Sequence, residues 1–445
     1  MGGADKAASD GEKLKINDTV MVFKEMIDMC KIDINNVGGA IPKKPIRKLL
    51  RVFKEVADVR SAKKIIYPLS EIIMAAFIAI MSGADSFTAI AVYCADKKDW
   101  LAKYFNVHKI PSHDTFRRVF MLIDPRHLQK ATVAFLVENI KLIKKAFKID
   151  ASGLRHVCVD GKTARGTGRL KGTGLDREVS QLQTLHVYDR SDAICLISEK
   201  ISDKTNEIPV AQSILRLFDL RDTVVTFDAL NTQLGTINVI ADGKGDYVAA
   251  LKKNQGSFYE EVESYFTPER LEHIKNWKTN YFSKKEKLHN CIETRQYFLS
   301  KNVSWLLQSN DWKKLKSIIC YLFHSEDINT GKTTDSVYYY IASLTDVELC
   351  AQCIRGHWSV ENQLHWNLDV IYHEDDIEII DRVAYQNRSL LNKMALSLSK
   401  LFSKLSKNSI SITRQLFGWS TDSILKAFCM LDEDVISESM LSVKT

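Results

Sequence analysis

Long apolar runs are missing from this chain. The longest, Ile72 to Met81, has ten residues, about half of what a membrane-crossing helix needs. Met1 to Leu14 is polar and mixed in charge, so neither a membrane span nor a secretory signal is expected. Proline (7) and glycine (19) are scarce for 445 residues, which excludes collagen-like and linker-like architectures. The nine cysteines occur singly apart from Cys350 and Cys353. An odd count without paired spacing argues against a disulfide framework and for reduced thiols in a cytosol-like compartment. No strong charge of one sign is present either: 62 basic against 55 acidic residues leave +7, a mild bias toward a polyanionic partner. What is present is 45% apolar residues, enough for a large globular core of two to four structural units.

Character changes along the chain. Residues 1–64 read as a basic extension, with nine Lys or Arg between Pro42 and Lys64 against only Glu55 and Asp58. Such a run is either a solvated helix face or a phosphate-contacting arm, with Lys43, Lys44, Arg47 and Lys48 at its head. Residues 65–148 read as all-helical, opening with the apolar stretch Leu69 to Ile80. From 149 the pattern becomes β-branched: strands are expected at 156–160, 183–188, 193–200, 223–227 and 247–251, with helices at 207–218 and 232–241. This makes an α/β core with a mixed sheet of about five strands over 149–255. A β-rich insertion with Trp277, Trp305 and Trp312 follows over 256–344. A helical completion over 345–410 and a tail over 411–445 end the chain.

Two core strands end in acid, at Asp160 and Asp228. If they are neighbours, two carboxylates share one sheet edge, which is tolerable around a metal cation or with one pKa raised; Asp is also an ordinary strand-end residue. Directly after Asp160, residues 161–174 carry Lys162, Arg165, Arg169 and Lys171 and no acid, a candidate cradle for a phosphate backbone. His357, Glu361 and His365 stand at i, i+4 and i+8, one polar stripe on a regular helix, flanked by Trp358 and Trp366. The spacing is not that of the zinc proteases, and residues 161–174 lack the order of a P-loop.

Taken in order, the stretches Ser82-Gly-Ala-Asp-Ser86, Ile110-Pro-Ser-His-Asp-Thr-Phe-Arg-Arg118, Val159-Asp-Gly-Lys-Thr-Ala-Arg-Gly166, Phe227-Asp-Ala-Leu-Asn-Thr-Gln233, Tyr247-Val-Ala-Ala-Leu-Lys-Lys-Asn-Gln255 and His357-Trp-Ser-Val-Glu-Asn-Gln-Leu-His-Trp366 resemble the insertion-sequence DDE transposases of the H-repeat-associated group. The resemblance implies a ribonuclease-H-like catalytic core preceded by a helical domain and interrupted by a β-rich insertion. It also implies an acidic triad at Asp160, Asp228 and Glu361 holding two Mg²⁺ ions, with Mn²⁺ able to substitute. The implied reaction is cleavage at the element's ends and strand transfer into target DNA, by a homodimer or higher oligomer on double-stranded DNA, in the bacterial cytoplasm at the nucleoid. His357 and His365 are expected to position Glu361 or touch phosphate. Asn231 stands where His is usual in the family, and the Tyr-Arg-Glu-Lys signature of neighbouring groups is not intact, with His357 where an Arg and Leu368 where a Lys would be. A decayed or domesticated DNA-binding protein and a metal-dependent nuclease without strand transfer are the alternative readings.

Overall fold

The computed structural model of the chain describes residues 41–146, 153–168, 181–202, 206–288, 290–379, 381–432 and 434–435. It opens with helices α1 (Lys43–Lys54), α2 (Leu69–Met81), α3 (Phe87–Asp96), α4 (Lys98–Phe105), α5 (His113–Phe120) and α6 (Pro125–Ala146). Ser86 and Ser112 cap α3 and α5 by accepting from the backbone N–H three residues on. Apolar on all sides, α2 is buried almost throughout. The basic run at 43–54 folds as an amphipathic helix: Pro45, Ile46, Leu49, Val52 and Phe53 face α2 and α6, and the charges lie on the outer face. The extension expected up to residue 64 is therefore, over its described part, one wall of the helical unit.

The sheet begins with β1 (Arg155–Ala164), β2 (Leu182–Asp189) and β3 (Ile194–Ile201), followed by α7 (Glu207–Leu215), β4 (Thr223–Phe227), α8 (Leu234–Asp242) and β5 (Asp246–Leu251). The first three strands form an antiparallel meander; β4 then pairs parallel to β1, and β5 parallel to β4. The resulting order 3-2-1-4-5 is the ribonuclease-H-like core. β1 runs past Asp160 to Ala164, into a segment expected to be loop, because β2 continues to pair with it there.

After α9 (Ser257–Tyr265) and α10 (Pro268–Lys275) come β6 (Tyr281–Leu288), β7 (Cys291–Ser300), β8 (Ser317–Asp327) and β9 (Thr333–Ala342). The sequence places a β-rich insertion over 256–344. It has four strands, and β9 pairs antiparallel with β5, so one nine-stranded sheet runs β3-β2-β1-β4-β5-β9-β8-β7-β6. β6 lacks an apolar alternation because it is the edge strand and mostly exposed.

The chain then returns through α11 (Val347–Ser359), a π-turn (Val360–His365), α12 (Trp366–Val370), α13 (Arg382–Ser406), α14 (Ile410–Trp419) and α15 (Thr421–Cys429). α13 packs on α2, α5 and α6, so the N-terminal helices share a core with the helix that follows the last candidate acid. Its basic residues Arg388, Lys393 and Lys400 are buried, and Arg388 Nη2 donates to the Ala84 carbonyl at 2.9 Å. Residues expected as a tail form α14 and α15, which bury Phe417, Ile424 and Phe428 against α2 and α1. Among the described residues no helix is long and apolar enough to cross a membrane.

Arg414 ties this closing pair to the bundle: it is buried, paired with Asp85, and donates to the Ile371 carbonyl. Arg414→Ala is expected to lower unfolding free energy by about 2–3 kcal/mol, because it strands a partly buried carboxylate and a carbonyl. Urea denaturation measures this; a change under about 0.5 kcal/mol means the closing helices do not depend on that anchor.

Candidate active site

Parallel pairing places Val159 beside Phe227, so the residues that follow, Asp160 and Asp228, stand abreast where β4 ends and part-way along β1. Glu361 arrives from across the sheet. α11 passes so close to β1 that a Cβ on Gly356 would lie 2.6 Å from His156 Cε1. Four residues later, at Val360, the helix widens into the π-turn, which inserts one residue per turn. That widening breaks the expected single stripe: Glu361 is exposed at the mouth of the cleft, and His365 turns into the core. Asp160, Asp228, Glu361 and His357 line one cleft of about 210 Å³, with Tyr338, Tyr340, Ile354 and Trp358 on its less polar side.

The histidines are held by the protein itself. His357 Nδ1 lies 3.1 Å from Thr226 Oγ1, which also meets His156 Nε2 at 2.9 Å. His365 Nε2 lies 2.8 Å from His186 Nδ1, and its Nδ1 is 3.6 Å from Asp160 Oδ2. Burial pushes His357 down to about 4, and burial followed by Lys162 and Lys393 pushes His365 down to about 3, so both rings are neutral near pH 7. The expected phosphate contact is not available to His365, which is buried and backs Asp160.

Asp160 is pushed up to about 7, first by burial and then by Asp228, Glu207 and Glu361. Glu207, the first residue of α7, is itself raised by burial and by Asp228. An acid at a helix start is unremarked in a sequence, since the helix dipole favours it there; only the fold brings this one to the sheet edge.

The basic candidates divide. Lys162 is buried in an ion pair with Asp369 and lies 3.8 Å from Glu374, so the ammonium expected to hold DNA is engaged inside the protein. Arg165 is exposed, 3.8 Å from Asp375. Arg169 and Lys171 lie outside the described residues. On α1, Lys44 pairs with Asp434 and Lys48 with Glu138, while Lys43 and Arg47 point outward. Of the tryptophans, Trp312 is buried and stacked on Phe258, Trp305 stacks on Tyr265, and Trp277, Trp358 and Trp366 are exposed.

Oxygen donors in excess of nearby cations suit a hard divalent ion. Among the described residues no three His, Cys, Asp or Glu side chains close around a single point. Mg²⁺ takes one or two carboxylates and completes its shell with water and phosphate oxygens, so pairs of these acids fit it.

Residues 151–398 match the model of the transposase DDE domain, and residues 50–136 that of the segment associated with it. The chain belongs to the DDE transposase family. Domains of this family generally use divalent metals, in keeping with the donor set of this DDE domain. It is 28% identical over 407 residues to "Putative transposase YncI" of Escherichia coli O157:H7, covering 90% of this chain and 97% of that one. It is 28% identical over 340 residues to "H repeat-associated putative transposase YhhI" of Escherichia coli K12, covering 75% and 85%. A piggyBac transposase solved as a synaptic complex with hairpin DNA is similar at 12% identity over 88% of this chain and 82% of that one, with a TM-score of 0.30 that carries no argument.

The raised Asp160 has a measurable consequence. Its carboxyl binds a proton more tightly folded, with a pKa of about 7, than at the ordinary 3.8; between those values the native state holds more protons, so metal-free stability falls as pH rises. Asp160→Asn is expected to flatten that fall, read as melting temperature from pH 4 to 8 in chelator. An unchanged profile would mean that burial and the neighbouring acids do not hold the Asp160 carboxyl protonated as the structure places it.

Proposed function

We propose that this chain is a DDE transposase that cuts the phosphodiester at the ends of its element and joins the freed 3′-hydroxyl to target DNA, with Asp160, Asp228 and Glu361 holding two Mg²⁺ ions. The observation that carries this reading is the convergence of the three acids on one cleft, two from adjacent parallel strands and one from the helix laid across them. When bound, the cations activate the attacking oxygen, stabilise the leaving oxygen and neutralise the phosphate. Asp160 is the central acid, abreast of Asp228 and lining the same cleft as Glu361. His365, fixed by His186, backs the Asp160 carboxylate at 3.6 Å, and neutral His357 adds no positive charge to compete with a cation. The less polar wall of Tyr338, Tyr340 and Trp358 gives a nucleotide an apolar surface beside the acids.

In a cleavage assay on duplexes carrying the inverted repeats that flank the coding sequence, with Mg²⁺ or Mn²⁺, Asp228→Ala and Glu361→Gln are expected to lose both nicked and joined products while keeping the wild-type fold. Near-normal cleavage by Asp228→Ala rejects the triad. Cleavage by the wild type without joined products indicates a nuclease.

DNA is engaged, in this reading, by the outer face of α1, where Lys43, Arg47, Arg51 and Lys54 are exposed. Each neutralised phosphate adds about 0.9 to the log–log salt slope. Replacing these four by Ala is expected to flatten the slope by up to about four such contacts and to weaken binding on all sequences alike. An equal slope for mutant and wild type places the backbone contacts elsewhere.

A further inference from the structure

The acids at the sheet edge include one that a three-residue site leaves over. Asn206 caps α7, its side chain accepting from Ile208 N at 3.2 Å, and the helix so begun lays Glu207 against the end of β1. The Glu207 carboxylate lies directly over Gly161: a Cβ there would be 2.2 Å from Oε1 and 2.7 Å from Cδ. The glycine that follows Asp160 thus leaves the room that a fourth carboxylate occupies beside β1.

On the other side stands Asn231. It is fully buried. Its Nδ2 donates to Glu207 Oε2 and to Asp228 Oδ1, each at 3.3 Å, and its backbone N–H donates to the same Asp228 oxygen at 3.2 Å. Its Oδ1 is buried without a hydrogen-bond partner, a costly state for an amide beside two carboxylates. Among the described residues no Lys or Arg is ion-paired with Asp160, Glu207 or Asp228. One neutral amide between two acids spaces them without balancing their charge, an excess of hard oxygen donors that suits a divalent cation.

We propose that Glu207 is a fourth metal-holding residue of this site, sharing a divalent cation with Asp228, and that Asn231 is the positioning residue that sets these two carboxylates at one distance. The inference rests on the metal-dependent reading above and extends its ligand set. A Glu207 that served only the dipole of α7 would have no need of Gly161 beneath it or of Asn231 beside it.

Mn²⁺ binding to the full-length, DNA-free protein, followed by electron paramagnetic resonance and calorimetry, tests the proposal without reference to activity. Glu207→Gln is expected to weaken Mn²⁺ binding at least about tenfold, the lower end of what even an indirect partner of a metal contributes. It is also expected to shrink the rise in melting temperature on adding Mg²⁺, while the metal-free melting temperature holds or rises as a like charge is removed. Gly161→Ala, whose methyl meets the flexible end of Glu207 first, is expected to reproduce the loss with the carboxylate still present. Wild-type Mn²⁺ affinity in Glu207→Gln, together with a tenfold loss in Asp228→Asn, overturns this inference and leaves the three-acid reading standing. Wild-type affinity in both variants overturns the three-acid reading itself. A Glu207→Gln protein that is less stable without metal, with Mn²⁺ affinity unchanged, makes Glu207 a helix-start residue and no more.

Discussion

Everything at the site follows from two parallel strands that bring the same charge side by side. β1 and β4 pair in parallel so that Asp160 and Asp228 emerge side by side, and burial denies them the water that would screen their repulsion. Left to itself such an arrangement opposes folding, and Asp160 shows it by holding its proton to about pH 7. The surrounding structure overrides that opposition with packing. β2 pairs with β1 beyond Asp160, α11 crosses within contact of His156, and the apolar residues of β1 and β4 are buried. A site built this way is poised to gain stability from a divalent cation, whose charge offsets the repulsion of the acids.

Rigidity around the acids comes from polar groups that carry no exposed charge. Lys162, one turn of the strand beyond Asp160, is consumed by Asp369 and Glu374, which ties β1 to the chain that follows α12. His186 stands opposite Asp160 in the β1–β2 register and passes its hold to His365. Thr226 serves His156 and His357 at once. These contacts join strands to the segment bearing Glu361, so that the last acid is located by the same network that locates the first. Farther out, α13 runs from this network into the N-terminal helices, and Arg388 and Arg414 reach Ala84, Asp85 and Ile371 from helices after the core. The helical unit and the sheet are therefore parts of one packed body in which the segment before β1 is closed by the segment after Glu361.

Much of this was legible in the residues. The β-branched runs that end in Asp160 and Asp228 announced two core strands, since such runs suit buried parallel pairing. The apolar stretch at 69–81 announced a buried helix. Other features had no local signature. β6 reads as polar loop because an edge strand has little to bury. Glu361 and the two histidines share a stripe on an ideal helix, and the π-turn that separates them is imposed by packing against β1 and β2. Lys162 is indistinguishable in sequence from Arg165, and only its partners, some two hundred positions on, make one of them internal.

The sequence by itself determined the chemistry on offer and the order of its parts: acids at strand ends, a basic amphipathic helix ahead of them, and an apolar budget for one large core. Those are properties of residue type and local period, and local period suffices to form strands and helices. Tertiary structure alone decided which charges face one another. Glu207 meets Asp228 because α7 returns across the sheet and Gly161 leaves it room, and His365 meets Asp160 because a helix widens where it crosses a strand. Such encounters depend on distances between segments far apart in the chain, which no local pattern encodes.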